Sequence, residues 1–332
     1  YVERLVIATL VEPLREEWKA VLATAERMKG EGKVKDAITA VEAFHERLYS
    51  TRVLDPACGT GNFLYVALEL MKRLEGEVVE ALLNLGGQEA LRGLENHEVD
   101  PQKFLGLERE PVLQAYGNIR HMDAVLAHDG VDAKGAYTNP RRPEWPEADY
   151  IIGNPPFIGG KDIRSRLGDA YVEALWAAHR EMNDSADFVM YWWDRAAEML
   201  TRKATRLKRF GFVTTNSITQ VFQRRVVERH LNAKQTVSLL LAIPDHPWTK
   251  ATREAAAVRI AMTVVEAGTK EGLLSEVVKE IGIETDTPLI ELNGLSGKIN
   301  IDLTIGADVS VAEHMKANDG ICSPGVKLHG AG

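Results

Sequence analysis

Hydrophobic positions in the first fifty residues follow the 3.6-residue period of amphipathic helices. They include Leu5, Ile7, Leu10, Leu14, Trp18, Val21 and Leu22. The polar stretch KGEGKVKD interrupts this pattern at residues 29–36. We therefore expect residues 1–50 to form a helical segment that precedes the main domain.

Residues 51–267 have a different pattern, in which short apolar runs alternate with amphipathic stretches. The strand candidates are RVLD, KFLGLE, DYIIGN, FGFVTTN, TVSLLLAI and AAVRIAMTVV. Strands that alternate with helices predict an α/β fold with a doubly wound, mostly parallel sheet. From residue 268 the signal weakens into the mixed LLSEVVKEIG and the loop-like NGLSGKINIDLTIG, so we interpret residues 268–332 as a linker.

The stretch DPACGTGNFL, residues 55–64, joins the first strand candidate to a helix. Asp55 ends the strand, and Gly59 and Gly61 lie in the turn. Glycines allow a ligand to approach the backbone closely, and a helix N-terminus offers free N–H groups. This geometry predicts a nucleotide-type pocket, although a glycine-rich turn occurs in many α/β proteins. Cys58 has no flanking histidine pattern, and we expect it to pack as a small apolar side chain.

The stretch DYIIGNPPFIGG, residues 149–160, is a second candidate site. A buried strand ends at Gly153 and is followed by Asn154, Pro155, Pro156 and Phe157. Consecutive prolines fix an extended backbone and remove two N–H donors, so nearby carbonyls can face a ligand. The Asn154 amide oxygen and the Phe157 ring suit an exocyclic amino group on a flat base.

Composition and charge limit the classes to which this protein can belong. The 332 residues carry a formal net charge of -8, which argues against a purely electrostatic nucleic-acid binder but allows a local basic groove. The two cysteines cannot form a disulfide framework and fit a reducing, cytoplasmic compartment. The sequence has no apolar run of about 18 residues, so we expect no membrane association.

Together the two motifs resemble those of the amino-methylating DNA methyltransferases that carry Asn-Pro-Pro-Phe or Asn-Pro-Pro-Tyr. Longer stretches of the sequence, including DFVMYWWDRAAEML and IPDHPWTKATREAAAVRIAMTVV, are similar to the sequences of the type IIL (MmeI-like) restriction-modification enzymes. This resemblance implies a Rossmann-like core that transfers methyl from S-adenosyl-L-methionine (AdoMet) to the N6 amino group of a flipped adenine in double-stranded DNA. It implies no metal in methyl transfer.

The resemblance also implies roles for individual residues. The catalytic residues would be Asn154, Pro155, Pro156 and Phe157. The cofactor-binding residues would be Asp55, Ala57, Gly59, Gly61, Asn62, Phe63, Glu108, Asp123, Ala124 and Asp187. Glu108 would bind the ribose hydroxyls and Asp123 the adenine amino group, whereas Trp192 and Trp193 are expected to pack in the core.

Basic residues cluster directly after the NPPF loop as Lys161, Arg164 and Arg166. We expect this cluster to bind DNA phosphates, because such contacts position DNA without specifying its sequence. The clusters at 202–209 and at Arg224, Arg225 and Arg229 are interpreted as solvated faces.

Several alternatives stay open at this stage. The substrate could be the N4 amino group of cytosine, an RNA, or a protein glutamine amide, and the chain could be a catalytically silent fragment. The chain begins at Tyr1 without methionine, and we expect it to be part of a longer protein whose Thr-Pro cofactor element and target recognition domain lie outside it. The sequence contains no nuclease constellation of Asp followed by Glu-x-Lys.

Overall fold

The computed structural model describes residues 1–91, 98–108, 117–248, 259–282, 285 and 288–307. All statements below concern those residues. Within these ranges, no helix is both long enough and apolar enough to cross a membrane.

The N-terminal segment is helical, as its hydrophobic period predicts. Helix α1 (Val2–Val6) continues through a π-helical turn (Ile7–Val11) into α2 (Glu12–Gly30), and α3 (Val34–Tyr49) folds back on α2. The polar break between α2 and α3 contains Gly32 in the left-handed region, with φ of 80°. Stacked rings of Trp18 and Phe44, 5.2 Å apart, join the two helices.

A nine-stranded sheet forms the centre of the molecule. Its strands are β1 (Val53–Asp55), β2 (Phe104–Glu108), β3 (Ile119–His121), β6 (Tyr150–Gly153), β7 (Arg209–Thr215), β8 (Val237–Pro247), β9 (Arg259–Ala267), β10 (Gly272–Ile281) and β11 (Leu289–Gly297). The order is β11-β10-β8-β9-β7-β6-β1-β2-β3. The run from β7 to β3 is parallel throughout, whereas β9 pairs antiparallel with both β7 and β8. The prediction of a mostly parallel sheet is therefore confirmed.

Helices cover both faces of the sheet. One face packs against the N-terminal helices and α4 (Asn62–Leu91), and the other packs against α6 (Asp169–Ala178), α7 (Met190–Leu200) and α8 (Val221–Leu231). The short helix α5 (Ile163–Leu167) follows the loop after β6. Alternate residues of a strand enter opposite layers: Val53 lies in the first core and Leu54 in the second. This is the doubly wound arrangement that the alternating pattern predicts.

A two-stranded hairpin, β4 (Gly130–Val131) and β5 (Tyr137–Thr138), lies in the connection between β3 and β6. It was not predicted. The connection returns to the core where the Trp145 indole Nε1 donates a hydrogen bond of 2.7 Å to the Ala124 carbonyl.

The segment after residue 267 continues the sheet. Strands β10 and β11 form an antiparallel hairpin, and β10 pairs parallel with β8. The loop-like interpretation is therefore wrong for residues 293–297, which belong to β11. The Arg4 guanidinium donates to the Ile290 carbonyl at 3.1 Å, which joins the hairpin to α1. Whether the chain beyond this hairpin acts as a linker stays a prediction, since residues 308–332 lie outside the described residues.

The contact between β7 and the π-helical turn gives a test of the packing. A Cβ atom added at Gly211 would lie 2.1 Å from Thr9 Oγ1 and 3.1 Å from Leu5 Cδ1. We expect Gly211→Ala to lower the free energy of unfolding by about 1–3 kcal/mol, because overpacking forces a tightly packed contact apart. Urea denaturation followed by circular dichroism measures this change.

The matched control is Gly76→Ala in the middle of α4, where the added Cβ meets no atom within 4 Å. There the change should stabilise the protein by about 0.5–1 kcal/mol, because alanine favours helix more than glycine does. A Gly211→Ala protein as stable as the wild type would show that the π-helical turn does not press on β7 in solution.

Candidate active site

A cavity of about 260 Å³ opens at the edge of the sheet where β1, β2 and β6 end. It is lined by Pro56, Ala57, Gly59, Leu107, Met122, Asp123, Ala124, Asn154, Pro156, Phe188 and Trp192. The two sequence motifs therefore meet in one place. Ligands of open α/β sheets bind at this edge, outside the carboxyl ends of the strands.

The turn after β1 has the conformation that its glycines allow. Gly59 and Gly61 have φ of 49° and 80°, in the left-handed region that residues with a side chain rarely adopt. The Gly61 N–H donates to the Cys58 carbonyl at 2.7 Å, and a Cβ at either glycine would face open space. The backbone of this turn is thus accessible to a ligand.

Asp55 is fully buried at the end of β1. Its Oδ1 accepts a hydrogen bond of 3.0 Å from the Ala57 N–H, so the carboxylate shapes the turn. Cys58 is also buried, and a Cβ atom added at Gly106 would lie 2.8 Å from its Sγ. Cys58 therefore packs as a small side chain between the turn and β2, as expected from its sequence context.

The loop after β3 is held by the half-buried Asp123 and by the buried Tyr171 and His179. Asp123 Oδ1 accepts from the Val125 and Leu126 N–H groups at 2.9 and 3.1 Å, and its Oδ2 accepts from the Tyr171 hydroxyl at 2.7 Å. The His179 ring donates from Nε2 to the Val125 carbonyl at 2.7 Å. Burial lowers the pKa of His179 to about 4, so the ring is neutral at pH 7. The Asp123 carboxylate is therefore fixed at the wall of the cavity.

Asn154 begins the loop after β6 and lines the cavity. Its Oδ1 is buried, and no described residue donates a hydrogen bond to it. A buried acceptor without a donor is costly and uncommon in folded proteins. An amide oxygen in this state, at the wall of a cavity, is suited to accept a hydrogen bond from a ligand.

Four aromatic side chains in mutual contact connect the NPPF loop to the first turn of α4. The half-buried Phe157 ring meets Trp248 edge to face, with centroids 5.7 Å apart. Trp248 contacts Tyr1 at 5.3 Å, and Tyr1 contacts Phe63 at 6.4 Å. Phe63 is buried in the core between the N-terminal helices and the sheet and is not among the cavity-lining residues.

Asp187 holds the NPPF loop in place. Its Oδ1 accepts from the Gly160 N–H at 2.9 Å, and its Oδ2 accepts from the Ser217 hydroxyl in the turn after β7. The adjacent Phe188 N–H donates to the Ile158 carbonyl at 2.8 Å. Both oxygens of Asp187 are thus engaged by protein groups, and it is Phe188 that lines the cavity.

The structure separates the predicted site residues into three groups. Those that line the cavity are Ala57, Gly59, Asp123, Ala124, Asn154 and Pro156. Seven others are not among the lining residues: Asp55, Gly61, Asn62, Phe63, Pro155, Phe157 and Asp187. Glu108 ends β2 as predicted, but its side chain lies outside the described residues.

Besides Phe188, which directly follows the predicted Asp187, four lining residues were not predicted from the sequence: Pro56, Leu107, Met122 and Trp192. The expectation that both tryptophans pack in the core is correct for Trp193, whose Nε1 donates to Thr263 Oγ1 at 3.3 Å. It is incomplete for Trp192, which lines the cavity and donates from Nε1 to the Pro56 carbonyl at 3.0 Å. The signal was its four-residue spacing from Phe188. Phe188 lies in the turn before α7, and the two rings meet edge to face with centroids 4.8 Å apart.

The three basic residues after the NPPF loop differ in whether they form ion pairs within the protein. Lys161 and Arg166 are exposed. The Arg164 guanidinium pairs with Asp169 at 2.9 Å and with Glu173, and it lies 4.8 Å from the Trp176 ring centroid. The charge of Arg164 is therefore balanced within the protein, which leaves Lys161 and Arg166 as the cluster's candidate contacts.

Comparison with known proteins places this arrangement in context. DNA methyltransferase A of Bacillus subtilis (strain 168) is 24% identical over 254 residues, which cover 68% of this chain and 28% of that protein. The solved structure of the type IIL restriction-modification enzyme MmeI in complex with DNA superposes with a TM-score of 0.65 at 22% identity. That match covers 93% of this chain and 41% of the MmeI chain, so the chain spans less than half the length of either relative.

The match to the MmeI structure supports a shared fold, and the match to a family model identifies the family of this chain. The model described as MmeI, DNA-methyltransferase domain, matches residues 31–116 and 112–276, which include both motifs and most of the sheet. The chain therefore belongs to the family of MmeI-type DNA-methyltransferase domains.

Proposed function

We propose that this protein transfers a methyl group from AdoMet to the N6 amino group of an adenine in double-stranded DNA, as the modification activity of a restriction-modification or related phage-defence system. The observation that carries the proposal is the buried Asn154 Oδ1, which lines the cavity without a donor among the described residues. The amino group of the target base would supply the missing donor.

The residues that line the cavity fit AdoMet. Leu107, Met122 and Trp192 offer apolar surface for the adenine ring, and the fixed Asp123 carboxylate offers an acceptor for its amino group. Gly59 and Gly61 leave the turn after β1 open to close approach of the cofactor. When bound, AdoMet supplies an electrophilic methyl group carried by a sulfonium. Glu108, at the end of β2, is proposed to bind the ribose hydroxyls.

The NPPF loop is proposed to hold the target base. A base inside a duplex must leave the stack before an enzyme can reach its amino group. The Asn154 Oδ1 and the Pro155 carbonyl accept hydrogen bonds from that group, while Phe157 stacks on the ring. These bonds draw the nitrogen lone pair out of conjugation, which makes the amino group a better nucleophile. Much of the acceleration then comes from positioning.

Adenine is proposed over cytosine because asparagine, and not serine, precedes the two prolines. The test uses the protein at its natural length with tritiated AdoMet and unmethylated genomic DNA, followed by digestion to nucleosides and mass spectrometry. We expect N6-methyladenine. Label in N4-methylcytosine would contradict the adenine assignment, and label in neither nucleoside would contradict the proposed function.

Asp187 gives a further prediction, because the resemblance assigns it to the cofactor and its contacts assign it to the NPPF loop. We expect Asp187→Ala to reduce the rate of methyl transfer at least about tenfold at saturating AdoMet, since the loop loses its bonds to Gly160 and Ser217. AdoMet affinity, measured by calorimetry, should stay within about threefold of the wild type.

The companion variant Ser217→Ala removes only the hydroxyl that donates to Asp187. It should show a smaller loss of rate, again with little change in AdoMet affinity. If Asp187→Ala weakened AdoMet binding as much as it slowed transfer, Asp187 would belong to the cofactor site and not to the loop.

A further inference from the structure

The first turn of α8 lies on the same edge of the sheet as the NPPF loop. Strand β7 is the parallel neighbour of β6, so both strands end at this edge. The chain leaves β7 through a 3-10 turn, Asn216–Thr219, and enters α8 at Val221. The Ser217 hydroxyl in that turn donates to Asp187, which also accepts from Gly160 of the NPPF loop. Helix α8 therefore starts beside the proposed position of the target base.

Two large apolar side chains stand exposed at this start. Val221 is 50% exposed and Phe222 is 45% exposed, although the rest of α8 buries Val226 and Val227. The Phe222 carbonyl accepts from the Asn183 side chain at 3.0 Å, which fixes the backbone of the turn. The Arg225 guanidinium lies 5.6 Å from the Phe222 ring centroid. The exposed ring is thus presented by a rigid backbone next to a cation.

The same turn carries the positive charge of Arg224 and Arg225. Arg224 and Arg225 form no ion pair within the described part of the chain, and Glu228 on the next turn pairs with neither. By contrast, Arg229 pairs with the buried Asp194, and Arg164 pairs with Asp169 and Glu173. Two arginines without an ion pair among the described residues, at the edge of the sheet where the cavity opens, form a local site for a polyanion in a chain of net charge -8.

From this surface, made of Val221, Phe222, Arg224 and Arg225, we infer a DNA contact next to the target base, an inference that rests on the proposed function. Arg224 and Arg225 bind phosphates, and Phe222 packs against the base pair that borders the flipped adenine. Flipping leaves that neighbour unstacked, and apolar side chains commonly fill or wedge such steps. The surface is separate in sequence from Lys161 and Arg166, and both lie at the same edge of the sheet.

The experiment measures duplex DNA affinity against salt concentration by fluorescence anisotropy, with the protein at its natural length. Removing one phosphate contact reduces the slope of log K against log salt by about one. We expect this for Arg225→Gln and for Arg224→Gln. Phe222→Ala should weaken binding by about fivefold or more without changing the slope, because stacking does not release counterions.

The matched controls are Arg202→Gln and Val278→Ala. Arg202 is exposed between α7 and β7, at the opposite edge of the sheet, and Val278 is 60% exposed on β10. Both should bind DNA as the wild type does. AdoMet affinity should be unchanged in all five variants, because none of them lines the cavity.

The outcomes distinguish failure of the DNA contact from failure of the proposed function. If the wild type methylates DNA but the Phe222, Arg224 and Arg225 variants match the controls in affinity and slope, the DNA contact is refuted and the proposed function stands. If the wild type transfers no methyl group to DNA, the proposed function fails and this contact fails with it.

Discussion

Replacing Asn154 by alanine is expected to slow methyl transfer by at least about thirtyfold at saturating AdoMet, equivalent to about 2 kcal/mol of barrier. The reason is that Asn154 Oδ1 is a buried acceptor at the cavity wall whose donor is proposed to be the reacting amino group. The bond strengthens as that nitrogen becomes nucleophilic, so its loss should lower the transfer rate more than it lowers AdoMet affinity. Single-turnover transfer and calorimetry measure the two quantities.

An exposed asparagine on α4, Asn84, provides the control, and Asn84→Ala should transfer methyl at the wild-type rate. An Asn154→Ala protein that lost AdoMet affinity to the same extent as rate would place Asn154 in the cofactor pocket. A variant with undiminished rate would remove Asn154 from the chemistry altogether.

Gly61→Val is expected to weaken AdoMet binding by at least about thirtyfold while leaving the fold intact. Gly61 has φ of 80°, which a β-branched residue adopts only with strain, and the new side chain would stand in the open space of the turn after β1. Relief of the strain would also displace the Gly61 N–H from the Cys58 carbonyl. Calorimetric titration with AdoMet measures the loss of affinity.

Gly32→Val is a closely matched control for that change. Gly32 also has φ of 80° and open space around its Cβ position, but it lies between α2 and α3, away from the cavity. Both variants should lose similar stability, and only Gly61→Val should lose AdoMet affinity. Equal affinity in the two variants would mean that the turn after β1 does not bind the cofactor.

The sequence predicted the parallel core because its strands carry a strong local signal. All six strand candidates correspond to strands, from RVLD at β1 to AAVRIAMTVV at β9. Short apolar runs bounded by turns and helices indicate buried strands of a parallel sheet. The N-terminal helices were predicted for a similar reason, since one apolar face persists over several turns.

The hairpin of β10 and β11, which forms the side of the sheet opposite β3, could not be predicted in this way. In β10, the apolar residues Leu273, Leu274, Val277, Val278 and Ile281 fall at helical spacing, and several remain exposed on the strand. In β11, glycine and asparagine suggest a loop. Pairing of β10 with β8 and β11 decides both conformations, and tertiary pairing overrides local preference in such strands.

The candidate site also combines features with a local sequence signal and features that only the fold creates. The glycine turn and the NPPF loop were found because both are short, contiguous motifs. Trp192 and Met122 line the cavity from elements distant in sequence, and only the fold brings them to the turn after β1. The sequence identified Asp187 as a site residue, but its hydrogen-bond partners Gly160 and Ser217 come from two other segments. Its contacts were therefore beyond reach of the sequence alone.

The most direct test of the central proposal, that the cavity between the two motifs is the site of methyl transfer, is a crystal structure of the protein with AdoMet bound. We expect the cofactor to lie between the turn at residues 55–61 and the loop that begins at Asp123, with its methyl group directed toward Asn154. AdoMet bound elsewhere on the protein, or bound in this cavity with its methyl group directed away from Asn154, would contradict the proposal.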